Sequence, residues 1–331
     1  MKRIRKEVME TPYRSQIFQS YFDSLSIGVI DIETTGLSPE RDRVILGGLV
    51  HFTPDKLQFV QYFADGREEE PLLLQEYLRD LNNCDLIVTY HGEGFDLPFL
   101  KKRWSRHFDT AFPLISYSLD LYRVVSKHSN LRAILPNLRQ KTVEAFLGLS
   151  ETRQDEISGE ESARLYADFL KNRDPRLQER ILLHNHDDLL QLSRLLRVLD
   201  KLDLHRILFY AGFPVKHEEK RIHIKSIKLQ SSQVVAEGIQ YRAPVDYLHY
   251  SEAYEAFASR HTGEFLLRIP HLREKDRLHV DLTPFTLDHA PISEFPGYLG
   301  DKLLIREGDQ IRHAELNFLI RLICGEILAQ F

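Results

Sequence analysis

The sequence predicts an α/β fold, a mixed sheet flanked by helices, followed by a smaller α+β C-terminal domain. Three observations predict it. Between residues 26 and 90, short β-rich apolar runs alternate with turn residues and one helical segment. From about residue 119 to 212, apolar residues recur at helical spacing. After Gly212-Phe213-Pro214 the pattern changes again, to alternating, strand-like segments. The domain boundary is expected there, with 1–212 as the larger domain and 213–331 as a β-rich module of unknown role.

The elements follow in order. Residues 14–23 read as a helix. Ser26 to Glu33 is an apolar strand closed by Thr34-Thr35-Gly36, and Val44 to Phe52 and Leu57 to Phe63 are two more strands around a Pro54-Asp55 turn. Pro71 to Leu81 has helical spacing, Asp85 to Tyr90 is a short buried strand, and a helix is expected from Leu97 to His107 with Pro98 in its first turn. Leu119–Lys127, Thr142–Leu147 and Glu160–Lys171 are amphipathic. Asp174-Pro175 supplies an N-cap and first-turn proline for a long helix reaching Leu199. Beyond residue 212, strands are expected at 221–229, 233–241, 264–269 and 278–282, with an apolar helix from Ala314 to Phe331.

Composition removes several function classes. The chain has 331 residues, a formal net charge of −5 and 28% charged residues, which suits a globular protein and argues against wholesale disorder. Residues 1–200 carry 27 Lys+Arg against 31 Asp+Glu, and the remainder 17 against 18, so neither part is a basic nucleic-acid-binding domain by composition. An acidic metal site can offset a local basic groove and leave this balance. Cys84 and Cys324 make no disulfide framework, and a reducing, cytoplasmic setting is expected. The basic start lacks the apolar core of a secretory signal, and no apolar run approaches a membrane span.

Three motifs carry chemistry. In Asp31-Ile32-Glu33-Thr34-Thr35-Gly36-Leu37, residues two apart on a strand share a face, so Asp31 and Glu33 stand side by side while Ile30 and Ile32 pack the other way. Adjacent carboxylates repel unless a cation lies between them, and hard oxygen ligands suit Mg²⁺ or Mn²⁺. In Thr89-Tyr90-His91-Gly92-Glu93-Gly94-Phe95-Asp96, a strand enters a glycine-rich turn and Asp96 opens a helix, as a cap or as a group aimed at a metal. In His184-Asn185-His186-Asp187-Asp188, His184 and Asp188 share one helix face while Asp187 is turned away, toward solvent or a partner.

Taken together, these motifs resemble the DEDD superfamily of 3′→5′ exonucleases, which have an RNase H-like fold. The stretch from Asp31 to about Leu196 is similar to its YprB-type branch. The likeness lies in Phe95-Asp96-Leu97-Pro98-Phe99-Leu100, in Lys141-Thr142-Val143-Glu144 ahead of Leu147-Gly148-Leu149, and in His184-Asn185-x-x-Asp188. It covers about half the chain. The resemblance implies metal ligation by Asp31, Glu33, Asp96 and Asp188, two divalent ions, Mg²⁺ or Mn²⁺, and a nucleic-acid substrate, DNA or RNA, engaged at a single-stranded 3′ end. His184, four residues before Asp188, has histidine chemistry at the spacing where relatives place tyrosine; it is the candidate general base. His91 stands where relatives often have asparagine. Substrate contacts are expected from Thr34, Gly36, Leu37, His91, Phe95, Lys101 and Lys141, with Lys102, Arg103, Arg106 and the basic stretch Lys216–Lys228 as further phosphate contacts. The alternatives are a structure-selective endonuclease on the same fold and a catalytically silent nucleic-acid-binding protein.

Overall fold

In the computed structural model, which describes residues 1–149, 153, 154 and 157–331, the chain divides into two units, 1–202 and 203–331. The first contains β1 (Lys2–Val8), α1 (Gln16–Phe22), β2 (Ile27–Thr34), β3 (Val44–Phe52), β4 (Leu57–Phe63), α2 (Glu70–Leu81), β5 (Leu86–Thr89), α3 (Asp96–His107), β6 (Tyr117–Asp120), α4 (Leu121–His128), α5 (Leu131–Ile134), α6 (Gln140–Phe146), α7 (Gly159–Asn172) and α8 (Pro175–Leu195). Its sheet runs β1-β4-β3-β2-β5-β6. The pairs among β1, β4, β3 and β2 are antiparallel, and those of β2 with β5 and β5 with β6 are parallel. The expected mixed sheet is therefore present.

Two apolar layers enclose it. Ile30 and Ile32 join Leu73, Tyr77, Leu81, Phe99 and Leu100 beneath α2 and α3. Ile45, Leu46 and Phe63 join Leu165, Phe169 and Ile181 beneath α7 and α8. The alternation along β2 thus sends its isoleucines to one layer and its carboxylates to the other.

Paired glycines in β3 let helices approach from both sides. A Cβ on Gly47 would lie 2.8 Å from the Tyr77 ring of α2, and one on Gly48 would lie 2.3 Å from Asn185 Oδ1 of α8. Tyr77 also donates its hydroxyl to the Gly48 carbonyl at 2.9 Å. Asp174 caps α8 by accepting the Arg176 N–H, with Pro175 in the first turn.

Several expectations are corrected. Leu119 belongs to β6, not to a helix: Asp120 ends that strand and caps α4 through the Tyr122 and Arg123 N–H groups. The basic N-terminus forms an edge strand against β4, and Arg3 pairs with Asp80. Asp187 is buried and accepts the Gln154 N–H at 2.5 Å, so it does not face solvent.

The second unit contains α9 (Leu204–Ala211), β7 (Phe213–His217), β8 (Lys220–Leu229), β9 (Gln233–Tyr241), β10 (Tyr247–Tyr250), β11 (Glu255–Ala258), β12 (Glu264–Pro270), β13 (Leu272–Glu274), β14 (Arg277–Asp281), α10 (Ala290–Ser293), β15 (Lys302–Glu307), β16 (Gln310–Ile311) and α11 (His313–Gln330). One sheet runs β10-β11-β12-β9-β8-β7 and another β13-β14-β15-β16, all antiparallel. The division falls at Leu202–Asp203 rather than after Gly212, because α9 packs its apolar face on α11 and β8. The basic stretch does not form one exposed patch: Arg221 is buried and Lys228 pairs with Glu237. Both cysteines are free and buried. Among the described residues, no helix is long and apolar enough to cross a membrane.

Candidate active site

The site forms where β2 outruns its parallel neighbour. The β2–β5 ladder covers Ile27 to Val29. Beyond it, the backbone N–H of Ile32 is bound by Asp96 Oδ1 at 3.2 Å. Asp96 reaches this point because β5 leads through a tight turn into α3. Asp120 shapes that turn, accepting the N–H groups of His91 (2.8 Å) and Glu93 (3.1 Å). His91 takes a left-handed backbone with φ 65°. Asp120, one buried carboxylate holding both the turn and the start of α4, is a positioning residue that sequence reasoning missed.

From the other face, α8 supplies His184, Asn185 and Asp188. His184 Nε2 lies 3.6 Å from Glu33 Oε1 and 3.5 Å from Asp188 Oδ2. One ligand atom from each of Glu33, His184 and Asp188 falls within 4.8 Å of the others, a group able to hold a metal ion. Asn185 donates to Asp31 Oδ2 at 2.8 Å and accepts from Gln61 Nε2 at 2.9 Å. Gly48 lies directly opposite Asp31 in the ladder, and its missing side chain is the space that Asn185 fills. Asn185 and Gly48 therefore orient Asp31, a role no local pattern announces.

The electrostatics are those of crowded carboxylates. Burial and the charges of Asp96, Asp188 and Glu33 hold the Asp31 carboxyl well above its usual range. Burial, with repulsion from Asp188 and Asp96 and opposed by His184, pushes Glu33 up to about 7. Burial pushes Asp96 up to about 7 against the stabilising N–H of Ile32. A divalent cation would relieve this desolvation and repulsion, and the oxygen-dominated donor set fits a hard ion such as Mg²⁺ or Mn²⁺. Glu33, His184 and Asp188 form the group able to hold it, with Asp31 and Asp96 beside them in the same acidic cluster.

The expected substrate contacts separate. Thr34 donates its hydroxyl to the Gly36 carbonyl. Gly36 makes room for the Asp42 carboxylate, 2.5 Å from where its Cβ would lie. Leu37 is 83% exposed at the end of this turn, a surface position open to a ligand. His91 is exposed with its ring 4.7 Å from that of Tyr122. Phe95 packs toward the core beside Phe99. Lys101 is exposed on α3, and Lys141 donates to the Ile157 carbonyl at 3.2 Å. Arg103 is no phosphate contact: it is buried with Glu70, at 2.6 Å, and donates to the Pro39 carbonyl. His186 turns away from the cluster, its ring 4.2 Å from that of Phe59.

The chain is 29% identical over 194 residues to the uncharacterized protein YprB of Bacillus subtilis (strain 168), covering 57% of this chain and 44% of that protein; the chain thus spans less than half of this relative's length. Among solved structures, a family B DNA polymerase from Pyrobaculum calidifontis aligns over 73% of this chain and 39% of its own, with 15% identity and a TM-score of 0.40. Escherichia coli Exonuclease I in complex with a dT13 oligonucleotide aligns over 64% and 54%, with 12% identity and a TM-score of 0.32. NrnC of Brucella melitensis aligns over 59% and 92%, with 17% identity and a TM-score of 0.26. The sequence model of the RNase_H superfamily matches residues 29–200, more than half of the chain and the whole span of the acidic motifs, and the chain belongs to that superfamily.

Proposed function

We propose that the chain is a metal-dependent 3′→5′ exonuclease that hydrolyses phosphodiester bonds in DNA or RNA. The observation that carries this reading is the convergence of Asp31 and Glu33 from β2, Asp96 from α3, and His184 and Asp188 from α8 on one acidic cluster. Three separate elements each bring acidic side chains to this point. Buried charge of one sign is costly without a partner, so the arrangement favours a site built for cations.

Divalent ions bound there, two in this reading, supply charge neutralisation and Lewis acidity toward a phosphate. The protein's own contribution is orientation and proton transfer. Asn185 fixes Asp31, the Ile32 N–H fixes Asp96, and the rigid face of α8 fixes Asp188. His184 accepts the proton of the attacking water at Nε2, with Glu33 and Asp188 beside it to stabilise the resulting imidazolium. The water oxygen bonds to phosphorus, the P–O3′ bond breaks, the released O3′ takes up a proton from solvent water, and the imidazolium returns its own proton to solvent. Leu37 and His91, exposed at the turns after β2 and β5, receive the terminal nucleotide.

The test is digestion of 5′-end-labelled single-stranded DNA and RNA with Mg²⁺, Mn²⁺ or EDTA. A ladder shortening from the 3′ end, lost in EDTA, is expected. Cleavage of circular or 3′-blocked strands at the same rate would replace the exonuclease reading with an endonuclease. Absence of metal-dependent products from both nucleic acids would reject catalysis.

A further inference from the structure

The segment Lys141–Glu144 has no part in the chemistry described so far, yet α6 is docked on the site. Gln140 and Glu144 are one turn apart on α6 and share a face. Gln140 Nε2 donates to the Asp188 carbonyl at 3.0 Å. Glu144 is fully buried, and a buried carboxylate needs a partner. Arg153 provides it through a two-pronged contact, Nε to Oε2 at 2.7 Å and Nη2 to Oε1 at 2.9 Å. The third guanidinium nitrogen, Nη1, reaches Asp188 Oδ1 at 2.6 Å.

This guanidinium differs from a surface ion pair. Its plane is set by the fork to Glu144, so its pairing with Asp188 costs little further ordering. The two oxygens of Asp188 are divided: Oδ1 faces Arg153 and Oδ2 faces His184. Asp188 thus brings to the cluster one oxygen compensated by Arg153 and one that faces His184. A dication placed beside Asp188 meets a fixed positive charge already there.

We propose that Arg153, anchored by Glu144, is the resident cation of the carboxylate cluster and competes with divalent metal for Asp188, setting the metal concentration at which the site loads. This inference rests on the metal-dependent reading above. The pairing also gives the Glu144 position a role: it carries the cation that guards the last aspartate.

The test is calorimetric titration of MnCl₂ into the full-length wild type, Glu144→Gln/Arg153→Gln and Arg153→Lys, at one pH and salt. The double substitution removes the guanidinium without leaving Glu144 charged and unpartnered. Its Mn²⁺ affinity should tighten by about tenfold or more, the scale expected when a unit charge next to a ligand is removed in a partly buried site. Arg153→Lys keeps the charge and should stay within about threefold of wild type by the same argument. Equal or weaker binding in the double variant overturns the proposal, as does equal tightening in Arg153→Lys. Absence of Mn²⁺ binding in all three proteins overturns the metal reading and this proposal together, which distinguishes the two failures. A readout on the wild type does not depend on the variants folding. The Arg153 Nε–H resonance, identified by its loss in Arg153→Lys, should shift in step with a Mg²⁺ titration; a resonance unmoved at saturation overturns the proposal.

Discussion

Gly48→Ala tests how the sheet and α8 assemble the site. The new methyl would lie 2.3 Å from Asn185 Oδ1, 2.8 Å from its Nδ2 and 2.7 Å from Leu189 Cδ1. Leu189 can turn its methyl aside, but Asn185 is held by Asp31 and Gln61. Either α8 shifts outward or the Asn185 amide leaves both partners. Overpacking of this kind costs about 1–3 kcal/mol, and a lost hydrogen bond to a charged group about 1.5–3 kcal/mol. Gly48→Ala should therefore destabilise the first unit by about 3 kcal/mol, allowing for partial relaxation. Asn185→Ala should cost about 2 kcal/mol through the same bonds. Combined, the two should cost less than their sum by about 1–2 kcal/mol, because removing the amide makes room for the methyl. The assay is urea unfolding followed by Trp104 fluorescence. Trp104 is the single tryptophan of the chain and packs from α3, partly buried, against the core, so the signal reports the first unit. Additivity within about 0.5 kcal/mol would refute the claim that Gly48 is bare in order to seat Asn185.

Other outcomes follow from the same geometry. His184→Ala should lower turnover about 10²–10⁴-fold with little change in substrate affinity, and His184→Tyr should retain more activity; unchanged turnover and pH profile in His184→Ala would move the base elsewhere. Asp31→Ala and Asp96→Ala should abolish metal-dependent cleavage while the chain stays folded, and full activity in both would remove the metal site. In the metal-free chain, Glu33 and Asp96 are held up to about 7 against unfolded values near 4, so the folded state carries the extra protons between those limits. That stability is fully present below about pH 4 and lost as pH rises through about 7; Trp104-detected melting in EDTA should therefore fall from pH 5 to pH 8, with Mn²⁺ closing the difference, and a flat profile in EDTA would contradict the crowding. A chain ending at Leu202 should melt more cooperatively than one ending at Val215, which strands the apolar face of α9; the reverse order would place the division elsewhere.

What the sequence made legible was local. Strands β3 and β4 were read at their observed ends because apolar runs and the Pro54-Asp55 turn mark them. The shared face of Asp31 and Glu33 follows from a two-residue period, and that of His184 and Asp188 from one helical turn. Where an element borrows its stability from elsewhere, local reading failed. Strand β1 has exposed polar residues on both sides because it is an edge, and β6 is four residues long, with Asp120 serving as strand end and helix cap. Arg103 looked like a phosphate contact because Lys101, Lys102 and Arg106 surround it, yet Glu70, from a different helix, buries it.

The same division runs through the candidate site. A metal ligand must be one of a few residue types and must point at the ion, so chemistry and period expose it together. The groups that aim the ligands need only fit a space or offset a charge. Gly48 contributes an absent atom, Asn185 an amide, Asp120 a carboxylate that touches only backbone at the turn, and Arg153 a cation in an acidic cluster. Each becomes meaningful only through register or packing across elements far apart in the chain. Residues that conflict with the local pattern of a site, such as an arginine among carboxylates, are consequently those on which its tuning depends, because they alter the energy of the cluster without being consumed as ligands.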